Sequence, residues 1–119
     1  MSQAEHDRRI DYIEFPAGDI AASKRFYAEV FGWSFEDWGD DYASFNDGRL
    51  NGGLRADGAV SASAPGVLVV LYVTDLPAAE RRVVSAGGAV TTAPFDFPGG
   101  RRFHFSDPAG NELAVWSES

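Results

Sequence analysis

The chain repeats itself. "GDIAASKRFYAEVFGW" (Gly18–Trp33) and "TDLPAAERRVVSAGGA" (Thr74–Ala89) align at an offset of 56 residues, the difference 75 − 19, which sets Asp19 on Asp75, Ala22 on Ala78, Arg25 on Arg81 and Gly32 on Gly88. Both segments follow an extended apolar run, "RIDYIEF" (Arg9–Phe15) and "VLVVLYV" (Val67–Val73), and both precede short strand-like pieces. A repeat of this length means that each half is one supersecondary unit. The fold must therefore be a duplication.

The repeated segments read as helices. Asp19 and Asp75 are N-caps, whose carboxylates accept from the free N–H groups of the first turn. Ile20, Tyr27, Val30 and Phe31 fall near one helical face, as do Leu76, Ala79, Val83 and Ala86. Pro77 sits in the first turn, where a missing N–H costs little. Gly32 and the Gly87-Gly88 pair stop the helices. Strands are predicted near 33–38, 41–46 and 50–55, and again near 89–92, 101–106 and 111–117. "FNDG" (Phe45–Gly48) and "DPAG" (Asp107–Gly110) are the tight turns before the last strand of each half. Each half is βαβββ. The expected fold is α+β, with modules at 9–55 and 66–117 and a small, polar linker at 56–65, all in one domain spanning 1–119.

Bulk properties exclude several classes of function. At 119 residues, with 45% hydrophobic and 13% aromatic side chains, the chain suits one packed domain. Ten basic against eighteen acidic residues give a net charge of −8, which opposes binding to nucleic-acid phosphates. There is no cysteine, hence no disulfide and no thiolate site. "MSQAEHDRRI" lacks the apolar core of a signal peptide, and no apolar run approaches the roughly 20 residues of a membrane span. Residues 1–8, with His6, read as a polar leader. The expected location is cytoplasmic.

"FYAEVFGW" (Phe26–Trp33), the "AGG" that ends the second helix, "LNGGL" (Leu50–Leu54) and "DPAGNELAVW" (Asp107–Trp116) together resemble the vicinal oxygen chelate superfamily. This is the group of glyoxalases, bleomycin resistance proteins and extradiol dioxygenases. The resemblance runs from about Ile10 to Trp116. It implies that each half curls into a U-shaped mixed sheet with its helix outside and its ligand on the concave face, and that two halves pair, within a chain or across a dimer, to close the cavity; a homodimer is expected here. It also implies metal-ligand positions, one on the first and one on the last strand of each half. These map to Tyr12, Gly52, Leu68 and Ala114. None is a usual ligand for the Zn, Ni, Fe or Mn that such sites hold. No metal and no cofactor is therefore expected. The alternative is a shifted site made of Glu14, His104 and Glu112.

With those positions blank, strand alternation leaves a pocket of aromatic and polar groups. The candidate ligand-binding residues are Tyr12, Glu14, Tyr42, Tyr72, His104, Glu112 and Trp116, with Leu68 and Val70 beside them. His104 and Glu112 are also the candidate acid–base pair. The expected function is metal-free binding of a small molecule, aromatic or cationic. The alternative is a lyase, isomerase or dioxygenase of the same superfamily, and a further one is a module whose cavity its own side chains fill. Trp33 and Trp38 are assigned to core or dimer interface, and Phe15, Phe26, Phe31 and Phe103 to core. Arg101-Arg102 reads either as a solvated strand start or as an anion clamp at the cavity mouth. "PFDFPGGRR" (Pro94–Arg102) reads as a mobile loop over the pocket.

Overall fold

The structure, a computed structural model, describes residues 5, 7–8, 10–56 and 68–118. The expected linker from residue 57 onward, His6 and most of the leader lie outside the described residues. Two βαβββ units follow one another. The first is β1 (Tyr12–Pro16), α1 (Ile20–Phe31), β2 (Ser34–Asp37), β3 (Tyr42–Asn46) and β4 (Asn51–Arg55). The second is β5 (Val69–Tyr72), α2 (Leu76–Ser85), β6 (Ala89–Phe97), β7 (Gly100–Ser106) and β8 (Glu112–Ser117). They build two four-stranded mixed sheets, in the orders β1-β4-β3-β2 and β5-β8-β7-β6. In each sheet the first strand runs parallel to the last and the remaining pairs are antiparallel. Neither sheet closes on itself, and the fold is α+β.

The caps work as their residue types dictate. Asp19 accepts from Ala22 N at 3.1 Å and Asp75 from Ala78 N at 3.1 Å, each satisfying a first-turn donor. Gly32 takes the left-handed conformation at φ 73°, which turns its own N–H and that of Trp33 back onto the carbonyls of Ala28 and Tyr27. α1 buries Ser23, Phe26, Tyr27 and Val30, and α2 buries Leu76, Ala79 and Val83.

Alternation along the strands sends one set of side chains to the helices and leaves the other face of each sheet open. In β1, Phe15 is buried while Tyr12 and Glu14 are exposed. Trp33 stacks between Tyr27 and Phe45, at ring-centroid distances of 4.4 and 4.3 Å, and is core. Trp38 is 60% exposed. The halves meet through α1. Phe26 and Phe31 pack on Phe105 of β7 at 5.8 and 6.0 Å. Tyr27 donates its hydroxyl to buried Asp107 at 2.8 Å, and Asn111 Nδ2 donates to the Pro16 carbonyl at 2.8 Å.

One expected element is corrected. Pro94–Arg102 is not a loop, because β6 runs on to Phe97 and pairs with β7 as Phe95↔Arg102, Asp96↔Arg101 and Phe97↔Gly100. Register shifts between Val90 and Thr92 and between Thr92 and Phe95 absorb Pro94, which has no N–H to give the ladder. Only Pro98 and Gly99 remain for the turn.

Burial first, then the Asp107 charge and its hydrogen bond, raise the Tyr27 phenol well above its ordinary value of 10.0. A raised folded-state value stabilises fully below about pH 10, and the contribution is lost as pH climbs beyond it. Tyr27→Phe removes a charge-assisted hydrogen bond and is expected to cost about 1.5–3 kcal/mol at neutral pH. The variant should also lose stability less steeply above pH 10. Urea denaturation at neutral and alkaline pH checks both, and an unchanged midpoint at neutral pH would remove Tyr27 as a tie between the halves.

Candidate functional site

The open face of the first sheet carries Tyr12 and Glu14 from β1, Tyr42 and Ser44 from β3, and Gly53 and Arg55 from β4. The register sets Glu14 beside Gly53 and Gly53 beside Ser44. The Tyr42 hydroxyl donates to Glu14 Oε2 at 2.9 Å. That proton is then spent, so the Tyr12 hydroxyl, 2.6 Å away, donates to the Tyr42 oxygen. Arg55 Nη1 approaches Glu14 Oε1 at 3.5 Å. Both partners of this ion pair are partly exposed, so it contributes at most about 1 kcal/mol. Burial, with the bonds to Tyr12 and Glu14, pushes the Tyr42 phenol far above the ordinary tyrosine range.

Gly53 makes this chain possible. A Cβ at position 53 would lie within 3 Å of the hydroxyls of both Tyr42 and Tyr12. The two tyrosines thus close over the strand where a side chain would otherwise stand.

This register corrects one position. Gly52 pairs with Ile13, and a Cβ there would strike the Phe45 ring on the core side. The residue on the open face is Gly53. The reason is turn length. Asp47 N bonds to the Leu50 carbonyl, three residues on, whereas Asp107 N bonds to that of Asn111, four residues on. The first turn is one residue shorter, and a one-residue slip exchanges the faces of a strand.

The open face of the second sheet is aromatic. Val70 pairs with Ala114 and Tyr72 with Trp116. Arg102 lies across from Trp116, and His104 from Ala114. Tyr72 and Phe97 both meet the Trp116 ring edge-on, at 5.0 and 6.0 Å. The Arg102 guanidinium lies 5.3 Å from the Phe95 ring centre and 5.8 Å from that of Phe97. The His104 ring is 6.0 Å from Phe95, and its buried Nε2 has no hydrogen-bond partner. Glu112 stands at the exposed end of β8 and accepts from Thr91 Oγ1 at 2.9 Å. The hydrogen bond that the exposed Tyr72 hydroxyl donates to Glu118 raises its phenol, with a smaller effect from burial.

A cleft of about 440 Å³ lies between the two halves. Phe15, Trp33 and Phe45 wall it on one side, Leu71, Tyr72 and Trp116 on the other. Of the residues expected to bind ligand, it takes in Tyr72 and Trp116. Tyr12, Glu14 and Tyr42 come together on the first sheet, apart from it. His104 and Glu112 share the face of the second sheet but not a hydrogen bond.

Of the four expected ligand positions, Tyr12 and Ala114 lie on the open faces and Gly53 takes the place of Gly52. With Leu68 they offer one phenol oxygen, bonded to Tyr42, and the carboxylate nearest them, Glu14, is already bonded to Tyr42 and Arg55. Among the described residues no three His, Asp or Glu side chains come together as a metal site, so Glu14, His104 and Glu112 form no shifted one. This donor set does not fit a divalent metal. Phe95 and Phe97 escaped the sequence reading, although their alternation with Asp96 was the signal for a strand.

The model of the Glyoxalase/Bleomycin resistance protein/Dioxygenase superfamily matches residues 9–115. The anthracycline biosynthesis protein DnrV of Streptomyces peucetius is 32% identical over 124 residues, covering 88% of this chain and 45% of its own length. The putative glyoxylase CFP32 of Mycobacterium tuberculosis is 28% identical over 120 residues, covering 89% of this chain and 44% of its own length. The chain thus spans about half the length of these relatives. A glyoxalase-related enzyme from Fulvimarina pelagi superposes with a TM-score of 0.77 at 23% identity, covering 92% of this chain and 88% of that one. The fosfomycin resistance protein FosX of Listeria monocytogenes, complexed with Mn(II) and a dihydroxypropylphosphonic acid, superposes at 0.80 with 13% identity, covering 94% and 91%. These structures share the fold. By the match that runs along most of its length, the chain belongs to the Glyoxalase/Bleomycin resistance protein/Dioxygenase superfamily.

Proposed function

We propose that the protein binds a small aromatic molecule on its open sheet faces and holds no metal there. One observation carries this reading. The residues at the middle of the two last strands, Gly53 and Ala114, have no donor atoms, and tyrosine hydroxyls close over the first of them. What remains is an aromatic wall. Edge-on and stacked ring contacts of the kind Tyr72, Phe97 and Trp116 present contribute about 0.5–1.5 kcal/mol each beyond area burial. Tyr12, Glu14 and Tyr42 add a polar chain on the first sheet. The expectation of a cationic ligand rested on Glu14 and Glu112. Their carboxylates already accept from Tyr42 and Thr91, which favours the aromatic part of that expectation over the cationic part. DnrV, named for the biosynthesis of an aromatic natural product class, is compatible with this reading.

A second reading, catalysis at His104, draws on its buried, unpartnered Nε2. Glu112 would then act apart from it, because Thr91 holds its carboxylate. Retention of full turnover by a His104→Ala variant, on any substrate found, would end that reading.

A homodimer belongs to the leading proposal. Tyr12, Val70 and Tyr72 are 42%, 43% and 49% exposed on the open faces, and a second copy would cover them. Sedimentation equilibrium is expected to give twice the chain mass, and a monomer at micromolar concentration would refute the dimer.

The binding proposal makes two measurable statements. Purified protein is expected to carry less than stoichiometric Zn, Ni, Fe or Mn by elemental analysis, and chelators should leave its melting temperature unchanged. A flat aromatic ligand at about 100 times its Kd should stabilise the fold by about 2.7 kcal/mol, and Trp116→Ala should abolish most of that gain. A tightly bound stoichiometric metal would overturn the first statement. A screen of aromatic compounds that never raises the melting temperature would overturn the second.

A further inference from the structure

Arg101 and Arg102 are adjacent in sequence, yet their surroundings differ. Arg101 points outward and forms an ion pair with Asp96 at 2.8 Å. Arg102 points to the open face of the second sheet. It makes no ion pair among the described residues, in a chain with eight more acidic than basic side chains. Its guanidinium instead lies over Phe95 and Phe97, across β8 from Trp116, and its Nε is buried without a hydrogen-bond partner. Two residues along the same face of β7, His104 Nε2 is also buried without a partner. The Phe95 ring touches both side chains.

Unpartnered buried polar atoms are costly. Native structures seldom hold two such groups side by side unless something else satisfies them. A guanidinium fork is shaped for a planar pair of oxygens, and this one lies over the Phe95 and Phe97 rings. Trp116, directly beside it, and Tyr72, on the far side of Trp116, supply an apolar wall. A ligand that satisfied all of these at once would carry a flat apolar body and an attached oxyanion.

We infer that the open face of the second sheet is a site for an aromatic carboxylate, or an equivalent planar oxyanion, with Arg102 receiving the anionic group, His104 beside it, and Trp116 with Tyr72 receiving the ring. This deepens the small-molecule reading above and rests on it. The overall charge of −8 does not forbid such a ligand. At physiological ionic strength charges beyond roughly 8 Å are largely screened, so the local cation decides.

Three probes of matched size test it: naphthoate, naphthalenemethanol and naphthylmethylammonium, each titrated calorimetrically and by thermal shift. Naphthoate is expected to bind more tightly than the neutral and cationic probes. Arg102→Gln should weaken naphthoate binding roughly tenfold to a hundredfold while leaving the neutral probe within about threefold. Arg101→Gln should leave all three affinities unchanged. If Arg102→Gln does not fold, Arg102→Lys serves instead, and it too should bind naphthoate more weakly, because an ammonium cannot offer the stacked fork. Equal or tighter binding of the neutral or cationic probe, or naphthoate binding untouched in the Arg102 variant, would overturn the oxyanion site while leaving the aromatic reading standing. Failure of all three probes to bind would overturn both.

Discussion

Asp107 is where the two halves are tied together. Its carboxylate is almost fully buried and collects four donors, namely the backbone N–H groups of Ala109 and Asn111, the Asn111 side-chain amide and the Tyr27 hydroxyl. A buried carboxylate is tolerated only when its oxygens are satisfied, and removing a donor costs far more than the mean hydrogen bond suggests. The partners come from the β7–β8 turn and from α1. Asn111, oriented by the same carboxylate, passes a further bond to the end of β1. One side chain therefore sets the turn that starts β8, the seat of α1 on the second half and the position of β1. Phe26, Phe31 and Phe105 supply the apolar area around it.

With α1 engaged in that contact and α2 packed on the second sheet, each sheet has one face committed and one left over. Period-two alternation then decides what the free faces carry. On the first sheet they carry a polar chain, in which a tyrosine donates to a tyrosine and that tyrosine to a carboxylate. On the second sheet they carry rings and a guanidinium. The halves share a topology and diverge in chemistry at equivalent positions. Glu14 beside Gly53 in one corresponds to Val70 beside Ala114 in the other. The duplication thus supplies the framework twice, and substitutions on the open faces make the two sides different.

The framework was legible in the sequence because its signals are local. Asp19 and Asp75 cap, Gly32 stops, and the repeat places the strands on either side. Gly53 was not legible, because its face depends on a turn shorter by one residue, and two glycines in a row carry no side-chain pattern to betray the slip. The full length of β6 is hidden in the sequence for a related reason. Pro94 and the Pro98-Gly99-Gly100 run are loop signals, and only the pairing with β7 shows that a bulge takes the first while a two-residue turn takes the second. The site was legible in part. Tyr72 and Trp116 do meet, while the Tyr12 group forms a separate cluster, and no local pattern in the chain reports which clusters share a cavity.

The two neighbouring arginines show why composition misleads about ligands. A net charge of −8 suggests a cation, yet that sum is dominated by solvated carboxylates whose fields are largely screened beyond roughly 8 Å. What a bound molecule feels is the short-range arrangement. On the second sheet this is a guanidinium over two phenylalanines, with a buried imidazole nitrogen beside it and no carboxylate paired to it among the described residues. Parity along β7 produced the difference. Arg101 faces out and meets Asp96, while Arg102, one residue on, faces in and meets rings. A shift of one residue in that strand would exchange the two and turn an oxyanion seat into a solvated surface, so the pairing of Phe95 with Arg102 governs the chemistry of the face as much as the residue types do.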